Sequence, residues 1–178
     1  AAIGLGINHL DIAALTLAAA AGPGGIYLTE ADALIVGAVT DVQIQRVLVN
    51  GSDDLQPIPA SPALLGLATL NGNGNIVLQT LNGSLTVTQL VTAAGTGNIL
   101  LQARSSTTGH TMEMTLNARV ISDMGNISVI ADRNILQTEG GVLITGGTGD
   151  IDVQAQNGSI TMVDDGNFSA SAITGGGN

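Results

Sequence analysis

The chain has 178 residues, 44% of them hydrophobic and only 10% charged, with 25 glycines and a formal net charge of −10. That length and composition suit one domain with a real core and exclude a disordered acidic tail. Lysine and cysteine are absent and the only rings besides histidine are Tyr27 and Phe168, which excludes phosphate neutralisation on nucleic acid, disulfides, thiolate catalysis, zinc–sulfur sites and an aromatic platform for sugars or bases.

The first apolar stretch, residues 1–20, contains Asn8, His9 and Asp11 and stops at Gly22-Pro23. It is too short and too polar for a spanning helix. No positive region precedes it, so it is not an intact signal peptide. The start at Ala1 and the end in Gly175-Gly176-Gly177-Asn178 read as a segment of something longer, with any export signal outside it. Ile3, Leu5 and Ile7 alternate from the outset, and neither end reads as capped.

A repeat begins at Gly24-Gly25-Ile26-Tyr27-Leu28 and returns as Gly74-Asn75-Ile76-Val77-Leu78 and Gly97-Asn98-Ile99-Leu100-Leu101. It continues as Gly125-Asn126-Ile127-Ser128-Val129 and Gly149-Asp150-Ile151-Asp152-Val153. The isoleucines lie 50, 23, 28 and 24 residues apart. The first interval reads as two periods, with one unmarked copy between. A second apolar pair, or its nearest equivalent, follows in each unit: Leu34 and Val36, Leu85 and Val87, Met112 and Met114, Ile135 and Gln137, Ile160 and Met162. The pair at Met112 is delayed by a corner insertion, Ser105-Ser106-Thr107-Thr108-Gly109-His110. A third stretch closes some units at Leu90-Val91, Val142-Leu143-Ile144 and from Ala170 to Ile173.

Ile-x-Leu alternation puts both apolar side chains on one face of a strand. Glycine and asparagine turns come too often for helices. Three short strands per unit make one triangular coil, which must stack on its neighbours to bury its inner face. The sequence therefore predicts an all-β chain: a right-handed parallel β-helix of about 24 residues per coil and roughly seven coils. Ile26, Ile76, Ile99, Ile127 and Ile151 form one inward ladder, with the unmarked coil inside it, and Leu28, Leu78, Leu101, Val129 and Val153 form the next. Gln79, Gln102 and Gln154 share an outward position and suit an amide stack. An antiparallel sandwich is the structural alternative, but it gives no reason for Gly-Asn-Ile at near-constant spacing. Residues 51–75, with the turn Gly51-Ser52-Asp53-Asp54 and then Pro57, Pro59 and Pro62, depart from the pattern. They read as an excursion from a single segment spanning 1–178, because proline cannot donate to a ladder.

Few residues invite chemistry. Gly146-Gly147-Thr148-Gly149-Asp150-Ile151-Asp152 has the glycines of a calcium-binding β-roll, but Ile151 occupies the aspartate slot and the tandem nonapeptide is missing. Asp53-Asp54 and Asp164-Asp165 are the adjacent acid pairs, and calcium takes six to eight oxygens. His9 and His110 show no ligand spacing, and Arg104 and Arg133 read as surface residues. Asn50-Gly51-Ser52, Asn82-Gly83-Ser84 and Asn157-Gly158-Ser159 match the glycosylation acceptor pattern, but Asn-Gly equally favours corner turns. Thr86-Val87-Thr88 does not recur in register, which removes an ice-binding array. No catalytic residue, cofactor or metal site is expected. Tyr27, Val77 and Leu100 alternate with core residues yet are apolar, and mark a possible assembly surface.

The Gly-Asn-Ile-x-Leu and Gly-Ser-Ile-x-Val pattern resembles the haemagglutinin-type repeats of large bacterial surface proteins, the filamentous haemagglutinin-like adhesins. The resemblance covers residues 10–40 and 71–165. It implies a secreted or cell-surface fibre, structural or adhesive, whose partners are neighbouring coils, copies of the same protein or a host or cell-surface ligand. The scarcity of cations and the short, polar first stretch leave no nucleic-acid partner and no membrane span expected. The family's N-terminal secretion domain is not in this sequence. A β-helical polysaccharide-degrading or glycan-binding domain is the alternative, but it needs acids, cations and aromatic subsites across a groove.

Overall fold

Residues such as Ile26 and Leu28, two apart on a strand, can bury only if a further layer covers them. The computed structural model, which describes residues 1–40, 43–57, 63–105, 112–163, 167–169 and 172–175, supplies that layer with three parallel sheets. The molecule is all-β, and among the described residues there is no helix. None is therefore long and apolar enough to cross a membrane.

The first sheet has seven strands, ordered Leu10–Ile12, Ile26–Glu30, Ile76–Thr80, Ile99–Ala103, Ile127–Ala131, Asp150–Ala155 and Ala172–Gly175. The second runs Thr16–Leu17, Leu34–Val36, Leu85–Val87, Met114–Leu116, Ile135–Gln137 and Ile160–Met162. The third runs Ala19–Ala21, Leu67–Thr69, Val91–Ala93, Val120–Ser122, Val142–Thr145 and Asn167–Ser169. From Ile76 onward the chain visits first, second and third sheet in turn and then returns to the first, an arrangement consistent with a β-helix. Inward residues of all three sheets form one core cluster.

The predicted ladders hold in register. Ile76 pairs with Ile26 on one side and Ile99 on the other, followed by Ile127 and Ile151. Leu28, Leu78, Leu101, Val129 and Val153 align likewise, and all ten side chains are buried.

Four expectations change. Ile26 and Ile76 are direct neighbours, so no unmarked copy lies between them. The extra length is an excursion over residues 38–65, inserted between a second-sheet and a third-sheet strand. Ala38–Val39 pairs antiparallel with Leu64–Leu65, and Gln43–Val47 with Asp53–Pro57. The irregular part thus begins before residue 51 and ends before 75, because Leu67–Thr69 is an ordinary strand of the third sheet. Pro59 and Pro62 lie outside the described residues. Second, Leu85 and Val87 face Met114 and Leu116, so the delayed pair sits two residues later than Met112 and Met114. Of the insertion that delays it, Ser105 bridges to Asn82, and residues 106–110, with His110, lie outside the described residues. Third, Ile173 aligns with Ile151 in the first sheet, and Asn167–Ser169 is the third-sheet strand. Fourth, Gln79 donates through Nε2 to Gln102 Oε1 at 2.8 Å, but Ile130 separates Gln102 from Gln154. Gln154 donates instead to Asp152 Oδ2 at 2.7 Å.

Candidate interaction surface

The corner leading into the first sheet explains the Gly-Asn-Ile motif residue by residue. The glycine must be glycine because successive strands of the sheet stack through this corner. A Cβ on Gly97 would lie 2.3 Å from Gly74 O, and one on Gly125 2.3 Å from Gly97 O. The hydroxyls of Thr69 and Ser122 donate to the carbonyls of Gly74 and Gly97 at 2.9 and 2.7 Å, and Thr145 donates to that of Gly125. The asparagines form a second ladder. Asn75 Oδ1 accepts from Asn98 N at 2.9 Å, Asn98 Oδ1 from Asn126 N at 2.8 Å, and Asn126 Oδ1 from Asp150 N at 2.9 Å. Each side chain thereby satisfies a backbone donor of the next strand.

These ladders set the outer face of the first sheet. Tyr27, Val77, Leu100, Ser128 and Asp152 occupy one row in register, each half-buried. The structure brings the three singled-out residues together as direct neighbours. Tyr27 is partly covered by its own chain. The alternation of Ile3, Leu5 and Ile7 does not continue as a strand: Ile3 bridges to Ile26, Leu10 pairs with Leu28, and residues 4–9 bulge out between them. Gly6 lies against the Tyr27 ring, and the His9 ring sits 6.0 Å away, with Nδ1 3.1 Å from Thr29 Oγ1. Asn75 Nδ2 donates to the tyrosine oxygen at 3.2 Å. Val77 and Leu100 have no such cover among these contacts.

A more exposed apolar feature is the tip of the hairpin built by Gln43–Val47 and Asp53–Pro57. Val47 is 73% exposed and Val49 fully so. The sequence signal was Asn50-Gly51 between two polar–apolar alternating runs, the mark of a hairpin turn. It was obscured because 51–75 read as one proline-bearing loop.

Candidate metal ligands do not converge. No group of three His, Cys, Asp or Glu side chains able to hold a metal occurs among the described residues. Asp53 is exposed, Asp150 is exposed at its corner, and Asp164-Asp165 lies outside the described residues. Glu30, which sequence reasoning passed over, is buried at the end of its strand. Its carboxylate accepts from Ala14 N at 2.8 Å and Asp32 N at 3.3 Å, so it ties the first strands to the body. A cavity of about 320 Å³ beside it is lined by Ala13, Ala14, Leu15, Glu30, Asp32 and Ala33. Arg104 and Arg133 are exposed. Comparison with protein families, curated proteins and solved structures finds no match for this chain.

Proposed function

We propose that the chain is a stretch of a right-handed parallel β-helix, about 24 residues per coil and roughly seven coils long. In this reading it serves as the shaft of a secreted or surface-displayed bacterial fibre, structural or adhesive and without catalysis. The observation that carries the reading is the stacking of one unit on the next through the same glycine, asparagine and isoleucine positions. Such a unit adds length through contacts with its neighbours alone. The half-exposed row of Val77 and Leu100 is the side on which a copy of the fibre or a cell-surface ligand would rest.

Surface display is testable with antibodies raised against these 178 residues. They should label intact cells of the producing organism, and external protease should remove the label. Labelling seen only after lysis would overturn the reading.

A further inference from the structure

Five Asn-Gly pairs occur in the sequence, at 50–51, 71–72, 73–74, 82–83 and 157–158. Their environments differ. A Cβ on Gly74 would meet Gly22 O at 2.7 Å, one on Gly83 would meet Ala33 N at 2.0 Å, and one on Gly158 would meet Asn134 Oδ1 at 2.4 Å. Gly74 and Gly83 are buried. Those backbones are fixed by the coil beside them. Gly72 packs on Pro23, and Asn71 is held at a φ of 56°. Gly51 alone among these five glycines has open space, with nothing within 4 Å of the Cβ position.

The hairpin tip adds chemistry to that freedom. Leu48 N donates to Ser52 O at 2.7 Å and Gly51 N to Leu48 O at 2.9 Å, closing a short loop with Gly51 at a φ of 81°. The exposed Asn50 side chain turns back over it. Its Oδ1 accepts from Ser52 N at 3.0 Å and from Ser52 Oγ at 2.8 Å. Two donors on one amide oxygen polarise Cγ and face the charge that develops on that oxygen when a nucleophile adds, the arrangement of an oxyanion hole.

We propose that Asn50 is a self-modifying site, deamidated by attack of the Gly51 backbone nitrogen on its side-chain amide carbon. Base removes the Gly51 N–H proton as its bond to Leu48 O opens. The nitrogen bonds to Cγ and the oxyanion rests on the two Ser52 donors; as the carbonyl re-forms, the C–N bond to the side-chain nitrogen breaks, and that nitrogen takes back from water the proton the base removed and leaves as ammonia. Water then opens the cyclic imide at either carbonyl. One opening gives aspartate, and the other gives isoaspartate with an extra backbone atom. No oxidant or cofactor enters. Either product places a new carboxylate beside Val49, and isoaspartate breaks the Leu48–Ser52 closure. The site lies outside the three sheets, so its behaviour is independent of the fibre reading.

The test incubates the whole protein at mildly alkaline pH in ¹⁸O-labelled water and follows each Asn-Gly peptide by mass. Asn50 should convert first, faster at higher pH, with one labelled oxygen in the product. Ser52→Ala should slow conversion about fivefold, the worth of one hydrogen bond, and Ser52→Thr should restore it. Conversion of Asn71, Asn73, Asn82 or Asn157 as fast as Asn50, or a rate indifferent to Ser52→Ala, would overturn the proposal. These variants sit at an exposed turn, and unchanged circular dichroism would show that the fold is intact.

Discussion

A single Cβ decides more at the Gly-Asn-Ile corner than a whole side chain does one residue later. Gly125→Ala would force its new carbon against Gly97 O, inside normal contact, between two stacked backbones that have no flexible side chain to yield. Overpacking of this kind costs about 1–3 kcal/mol. Asn98→Ala removes one acceptor from Asn126 N, at an exposed edge where water replaces it, so its cost is about 0.5–1.5 kcal/mol. Urea titrations should therefore rank Gly125→Ala below Asn98→Ala in midpoint. The reverse order would mean that the asparagine ladder, not the glycine contact, sets the corner. The isoleucine ladder was legible because burial demands the same apolar residue at every level. The asparagine ladder's purpose was not, since Asn-Gly and Gly-Asn serve turns in general, and only the stacked geometry shows Oδ1 reaching the next strand's amide. Nor was the cover on Tyr27 legible. Gly4, at a φ of 71°, breaks what reads as an alternating strand and throws residues 4–9 across the ring.

At the scale of elements, regularity and interruption follow different rules. The strands of the first sheet announce themselves through alternation, and their register followed from the repeat. The excursion over residues 38–65 was misplaced because an interval of 50 residues between Ile26 and Ile76 fits two periods as well as one period plus an insertion. Counting spacings cannot separate these, whereas Asn50-Gly51 between alternating runs could have. Physically the excursion is an appendage. A two-stranded antiparallel ribbon is marginal by itself, and its ends meet at the body, where Gly66 N donates to Gly37 O at 2.9 Å. Replacing residues 38–65 with a short Gly-Ser link should leave the three sheets intact. Shortening the loop also lowers its closure entropy by about 1–2 kcal/mol. The melting temperature should hold or rise. Loss of cooperative unfolding would show that the hairpin is an integral support.

For the molecule as a whole, the question is how a stack with 14 acids and four arginines avoids repelling itself. Stacked strands lie about 4.8 Å apart, so acids at one ladder position would face each other directly, which destabilises. None of the ladders described above holds more than one acid. Asn75, Asn98 and Asn126 precede Asp150. Tyr27, Val77, Leu100 and Ser128 precede Asp152. Glu113 sits between Ser84 and Asn134, receiving Asn134 Nδ2 at 3.0 Å. Asn126→Asp isolates the effect, because a carboxylate can still accept from Asp150 N while adding a charge one strand from Asp150. At that spacing two exposed charges repel by about 1 kcal/mol in water. The penalty should appear at low salt and shrink as the screening length falls to about 8 Å near physiological ionic strength. Asn98→Asp is the control, since both its ladder neighbours are neutral asparagines. Thermal melts across a sodium chloride series should show a salt-dependent gap between the two variants that narrows at high salt. Equal melting temperatures at every salt concentration would mean that the one-acid-per-ladder spacing does not contribute to stability.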